Sequence, residues 1–140
     1  MKLKRWTLPA LALAMAAAAA QAATLPPERQ AGGVSYVTGG VSDDEAALFK
    51  QARGGYPLAI ELVRNNAGKH EYTADAQVRV FDRGGQLVFD AKADGPFMFV
   101  RLPPGSYRVQ ASLDGQTVEK AVTVSANGSA QAVVAFQGSR

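Results

Sequence analysis

The feature that most limits what this chain can fold into is a period-two alternation of apolar and polar residues, with turn residues between the alternating stretches. In the stretch 106–113, Tyr107, Val109, Ala111 and Leu113 alternate with polar residues. Such alternation buries one face of a strand and leaves the other in water. The predicted fold class is mainly β, an antiparallel Greek-key sandwich of about 7–8 strands with one short helix, preceded by a signal peptide. The predicted strands lie near residues 34–38, 57–63, 71–81, 86–91, 97–102, 106–113, 117–124 and 130–136.

The dipeptide Asp114-Gly115 predicts a two-residue hairpin turn, because these residue types tolerate the positive φ angles that such a turn requires. Closing the chain there pairs Leu113 with Gln116 and Val109 with Lys120. Lys120 then lies on the inward side of its strand, which is unfavourable in the middle of a sheet but is a known way of protecting an edge. The sequence therefore predicts that this strand lies at or near a sheet edge.

A tighter turn is predicted where Pro104 precedes Gly105. Proline fixes φ near about −65° and glycine accepts a positive φ, which suits the two central positions of a type II turn. A β-branched residue in place of Gly105 would then be strained.

The stretch 97–102 is apolar on both of its faces. Phe97 and Phe99 point to one side, and Met98 and Val100 to the other. A strand of this kind is covered on both sides, so it is predicted at the centre of a sheet, with the helix as the candidate for the second cover.

The helix itself is predicted at 43–52. Ser42 is the expected N-cap, and Glu45, three residues later, would complete a capping box. The dipeptide Asp43-Asp44 favours the positive end of the helix dipole, which explains this acidic cluster without a calcium or acid–base site. Arg53-Gly54-Gly55 is the expected end of the helix.

The N-terminus predicts an export signal. Lys2, Lys4 and Arg5 precede an apolar Ala/Leu run, and Ala20-Gln21-Ala22 forms a small-x-small cleavage pattern. We therefore predict a signal peptide at 1–22, a flexible leader at 23–33 and one β-sandwich domain at 34–137. The expected location is periplasmic or secreted, with no transmembrane span after cleavage.

Charge and cysteine content narrow the function. The formal charge of +3 equals the contribution of Lys2, Lys4 and Arg5, so the remainder of the chain balances 12 basic with 12 acidic residues. Nucleic-acid binding is therefore not expected. With no cysteine, an exported domain must be stabilised by its apolar core rather than by disulfides.

Catalytic and metal-binding motifs are missing from the sequence. His70 is the single histidine, and it lies in a polar turn between predicted strands. One histidine without cysteine does not make a closed zinc site or a Ser-His-Asp triad. We therefore predict no catalytic, cofactor-binding or metal-binding residue and no cofactor.

Three stretches resemble a known family. They are residues 78–88 (Val-Arg-Val-Phe-Asp-Arg-Gly-Gly-Gln-Leu-Val), residues 94–99 (Asp-Gly-Pro-Phe-Met-Phe) and residues 102–109 (Leu-Pro-Pro-Gly-Ser-Tyr-Arg-Val). They are similar to the carboxypeptidase regulatory-like domains, which share a transthyretin-like (prealbumin-like) sandwich, and the similarity spans about 72–136. The resemblance implies the sandwich fold and an accessory role in a small exported bacterial protein.

The end of the chain permits one further comparison. Transthyretin-like hydrolases of the 5-hydroxyisourate type end in a Tyr-Arg-Gly-Ser-like tail, whereas residues 136–139 read Phe-Gln-Gly-Ser here. Those enzymes also require more histidines than His70.

The function predicted from the sequence is that of an exported, non-catalytic accessory or binding module of the cell envelope. Its partner would be an envelope protein or an extracellular ligand. A transthyretin-like hydrolase and a carboxylate-based metal- or substrate-binding protein are the alternatives.

Overall fold

The computed structural model describes residues 24–138, so the predicted signal peptide at 1–22 lies outside the described residues. The described part of the chain is mainly β, as predicted, and forms ten strands and one α-helix. In chain order the elements are β1 (Arg29–Ala31), β2 (Val34–Gly39), α1 (Asp43–Ala52), a 3-10 turn (Arg53–Gly55), β3 (Leu58–Asn66), β4 (Lys69–Tyr72), β5 (Gln77–Phe81), β6 (Leu87–Lys92), β7 (Phe97–Val100), β8 (Gly105–Leu113), β9 (Gln116–Val124) and β10 (Ala130–Gln137).

The strands form two sheets that enclose the main core. Sheet 1 has the order β1-β2-β7-β3-β10, with β4 also paired to β3, and sheet 2 has the order β6-β5-β8-β9. Every pair is antiparallel except β3 with β10, which runs parallel. A parallel partner needs a long connection, and here the whole of sheet 2 lies between the two strands in sequence.

The hairpin between β8 and β9 has the predicted register. Leu113 pairs with Gln116 and Val109 with Lys120. The turn residues Asp114 and Gly115 have φ angles of 49° and 78°, as a two-residue turn of this hand requires. The strand β9 is an edge of sheet 2, and Lys120 is exposed, so the edge prediction is confirmed.

The strand β7 lies in the middle of sheet 1 and is buried along its whole length, as its sequence predicts. Met98 and Val100 face the main core between the sheets. Phe97 and Phe99 face the opposite side, where α1 covers them with Phe49. We call this second group the outer cluster; its buried members are Val37, Ala46, Phe49, Tyr56, Ala59, Phe97 and Phe99.

The helix α1 spans the predicted residues, and its N-cap is formed as expected, with Ser42 Oγ accepting from the Glu45 N–H at 3.2 Å. The second half of the capping box is different. The Glu45 carboxylate accepts from the N–H of Gly40 at 2.6 Å. Because Gly39-Gly40 turns the chain close to the first turn of the helix, this donor lies within reach of the carboxylate.

The described residues form ten strands rather than the predicted 7–8, because two segments were assigned wrongly from the sequence. The segment predicted as a flexible leader, 23–33, contains β1, which pairs with β2 through Arg29 and Tyr36. The predicted strand 71–81 is divided between β4 in sheet 1 and β5 in sheet 2. The chain crosses between the sheets at 73–76, where Asp75 has a φ of 70° and donates its N–H to Ala93 O at 2.9 Å. Alternation continues through this crossing, so the pattern alone did not reveal it.

The segment before β1 is held against sheet 1 by contacts that are distant in sequence. Arg101 donates to both carboxylate oxygens of Glu28, at 2.7 and 3.4 Å, and its guanidinium lies 4.4 Å from the centre of the Tyr56 ring. Within β1 itself, Arg29 forms an ion pair with Asp94. Within residues 24–138 no helix has both the length and the apolar character needed to cross a membrane.

Candidate functional site

The candidate site is an open groove at one end of the sandwich, and the turn at Asp82 forms one of its walls. Asp82 Oδ1 accepts the N–H groups of Gly84 and Gln86, each at 2.9 Å, and Gly85 adopts a φ of 83°. The Asp82 carboxylate is therefore already engaged in its own turn, as expected of aspartate at such a position.

The second wall is the approach to β8. The Tyr107 hydroxyl donates to Pro103 O at 2.6 Å and so fastens this loop to the strand that follows it. Burial raises the pKa of the Tyr107 phenol, and the charge of Asp82 raises it further. The phenol is thus neutral on the groove wall, and its one hydrogen is engaged by Pro103 O.

The type II turn predicted at Pro104 and Gly105 is wrong. Gly105 is the first residue of β8 and has no positive φ. A Cβ at this position would meet Tyr107 at 3.6 Å, an ordinary contact. The chain passes from Pro104 directly into extended structure, because Gly105 pairs with Val124 of β9.

The groove between these walls has a volume of about 480 Å³ and is lined mainly by apolar side chains. Leu87 is half exposed, and Val34, Val88 and Tyr107 are partly buried and pack against the main core. Shallower depressions of about 340 and 190 Å³ share lining residues with its two ends. The lining residues are Gly32, Val34, Asp82, Leu87, Val88, Leu102, Pro103 and Tyr107.

A smaller cavity of about 20 Å³ lies on the outer face of sheet 1, beside the 3-10 turn. Its polar lining includes Arg53 and Glu61, whose charged atoms are 4.0 Å apart. This volume holds about one water molecule. Nearby, Lys50 Nζ lies 5.4 Å from the centre of the Tyr72 ring, and the interaction with Tyr72 raises the pKa of Lys50.

The residues considered from the sequence do not come together in one place. His70 is exposed, as predicted, but it lies on β4 opposite Asn65 rather than in a loop. Its strand forms because the turn at Ala67-Gly68, with φ angles of 52° and 83°, closes a hairpin with β3. Asp43 lies in the first turn of α1, as the capping interpretation expects.

Two other turn aspartates, Asp94 and Asp114, are held by ion pairs in separate regions. Asp94 binds Arg29, and Asp114 binds Arg64 at 2.7 Å. Within residues 24–138, no group of three or more His, Cys, Asp or Glu side chains is placed so that it could hold a metal ion. The groove, with its mainly apolar lining and the fixed polar groups of Asp82 and Tyr107 at its walls, is suited to contact with an apolar surface.

The groove is not evident from the sequence. Leu87 and Val88 were predicted as strand residues and Tyr107 as a core residue, and each is only partly buried. The sequence signal that could have indicated the groove is Leu87. This apolar residue comes directly after the Asp82 turn, at the beginning of a strand.

Comparison with known proteins finds no matching family model and no similar curated protein.

Proposed function

We propose that this protein is an exported, non-catalytic binding module of the cell envelope, and that it binds the apolar surface of an envelope protein or extracellular ligand in the groove. The observation that carries the proposal is the groove itself, about 480 Å³ in volume and lined by side chains that include the half-exposed Leu87.

The burial of apolar surface favours ligand binding in this groove. Apolar area removed from water contributes about 25 cal/mol per Å² to binding before the costs of association. Binding clefts of this size are usually lined by apolar side chains with a few fixed polar groups. Here Asp82 and the Tyr107 hydroxyl supply fixed polar groups at the rim, and their hydrogen bonds keep the walls in place.

Photo-cross-linking in intact cells tests the proposal. A photoreactive amino acid at Leu87 is expected to form an adduct with an envelope component, whereas the same group at Thr123, exposed on the strand β9, is not. Adding Val34→Asp to the Leu87 derivative should suppress the adduct, because it places a charge on the groove wall. Equal adducts at both positions, or adducts unaffected by Val34→Asp, would contradict groove binding.

Export is tested separately by intact-mass analysis. We expect the protein recovered outside the cytoplasm to begin at Ala23, because the charged, apolar and small-residue regions follow one another in the order of a cleavable signal. A matched variant, Ala22→Arg, should accumulate uncleaved, because a large charged residue replaces the small residue at the cleavage site. Recovery of residues 1–22 on the exported wild-type chain would refute the predicted signal cleavage.

A further inference from the structure

The strand β6 is an edge of sheet 2, and half of its backbone groups point away from the sheet. It pairs with β5 only. Just after its end, the Ala93 N–H donates to Ala76 O at 2.8 Å. Because inward- and outward-directed backbone groups alternate in an antiparallel pair, Ala91 also bonds toward β5, whereas Asp90 and Lys92 direct their N–H and C=O groups to the open side.

The opposite side of the sandwich is bridged, which distinguishes it from the β6 edge. The Gln116 carboxamide donates to Gln137 O at 2.9 Å and accepts from Gln137 N at 2.8 Å. This side chain binds the backbone of β10 as a neighbouring strand would. Among the described residues, no comparable bridge binds the outward backbone groups of Asp90 or Lys92.

The charges along β6 are complementary to those of a second β6 strand that runs in the opposite direction. Asp90 and Lys92 are exposed, carry opposite charges and lie on either side of Ala91. If two copies of β6 run antiparallel about a two-fold axis at Ala91, each Asp90 lies opposite a Lys92. An axis at Asp90 or at Lys92 would instead place identical charges opposite each other, which is destabilising.

We propose that β6 is a self-association surface, at which two copies of this chain pair their β6 strands antiparallel about a two-fold axis at Ala91. Sheet 2 of one copy then continues into sheet 2 of the other. The outward N–H and C=O groups of Asp90 and Lys92 form hydrogen bonds across the axis. This inference does not depend on the groove ligand proposed above.

The surroundings of β6 allow this pairing. Asp90 already accepts from Gln77 at 2.6 Å and lies 3.4 Å from Arg79, and Lys92 lies 3.6 Å from Asp75. These are exposed pairs, which are individually weak and can be shared with a second partner. The end of β1 lies near the first half of β6, with a depression of about 190 Å³ beside Gly32, which has no side chain.

A charge-exchange experiment on the exported protein tests the axis. The wild type should dimerise weakly and reversibly in sedimentation experiments extended to about 1 mM, since the interface is small. Asp90→Lys and Lys92→Asp should each weaken dimerisation by roughly tenfold or more, because each variant opposes like charges twice. Mixing the two variants should restore the dimer as a heterodimer, in which every contact is again between opposite charges.

A cysteine variant gives an independent measurement. The chain contains no cysteine, so Ala91→Cys introduces a single thiol. In the proposed pairing the two Ala91 residues form a non-hydrogen-bonded pair with Cα atoms about 4.5 Å apart, within the range of a disulfide. We expect a covalent dimer without reductant from Ala91→Cys and not from the control Thr123→Cys.

Three results would overturn the proposal: a wild type that stays monomeric at the highest concentration, charge variants that dimerise like the wild type, or mixed variants that do not associate. If the charge variants do not fold, the disulfide of Ala91→Cys decides, and its absence would overturn the proposal alone.

Discussion

Replacing Phe49 by alanine is expected to destabilise the protein by about 3–5 kcal/mol, the range for removing a fully buried aromatic ring. Phe49 has no exposed surface and is the main contact between α1 and sheet 1. Its ring stacks on Phe97 at a centroid distance of 5.5 Å and meets the ring of Phe99 edge-on at 5.2 Å. Chemical denaturation measures the loss, and hydrogen exchange should show faster exchange in α1 than in β8.

The matched control is Leu48→Ala, one residue earlier on the same helix. Leu48 is only partly buried and is not a member of the outer cluster, so it should cost less than about 1.5 kcal/mol. If Phe49→Ala and Leu48→Ala had equal effects, the outer cluster would not be what holds the helix on the sheet.

Replacing Gly95 by alanine is the second change with a large expected effect. A Cβ at Gly95 would lie 2.3 Å from the carbonyl oxygen of Gly39 and 2.5 Å from its carbonyl carbon. Both are backbone atoms, so the contact cannot be relieved by a side-chain rotation. We expect a loss of about 2–4 kcal/mol in the free energy of unfolding, since overpacking at a rigid site displaces the backbone.

The same region contains a buried polar contact that holds the two chain segments together. Thr38 Oγ1 donates to Phe97 O at 2.7 Å and accepts from the Asp94 N–H at 3.1 Å. A displacement of Gly95 would stretch both bonds, so the effect should also appear as faster amide exchange at Asp94.

Gly54→Ala is the control for Gly95→Ala. No atom lies within 4 Å of a Cβ at Gly54, and its φ is not positive. Alanine there should leave stability unchanged or raise it by about 0.4–1 kcal/mol, through the entropy of the unfolded chain. A Gly95→Ala variant as stable as Gly54→Ala would show that the loop at 94–96 is free to move away from β2.

The local parts of the fold could be predicted from the sequence. The range of α1, its Ser42 cap, the register of the β8–β9 hairpin and the central position of β7 all depend on residues close together in the chain. The wrong predictions also rested on neighbouring residues in the sequence. They concerned residues whose conformation depends on partners that are distant in the chain. Gly105 is extended because it pairs with Val124 of β9, and β1 is ordered because it pairs with β2.

The groove could not be predicted because its walls come from separate parts of the chain. Val34, Leu87 and Leu102 are ordinary strand or loop residues when read along the sequence. They line one surface because three segments lie at the same end of the sandwich. These are the turn after β1, the turn before β6 and the segment after β7.

By itself the sequence determined most of the strand segments, which residues start and end the helix, and that the core is apolar and without disulfides. It could do so because alternation, capping and hairpin turns act over a few residues. Only the tertiary structure decided that β3 and β10 run parallel, that the chain crosses between sheets at Asp75, and that Gly95 touches Gly39. These features depend on which strands become neighbours, and that depends on packing energies summed over residues that are far apart in the chain.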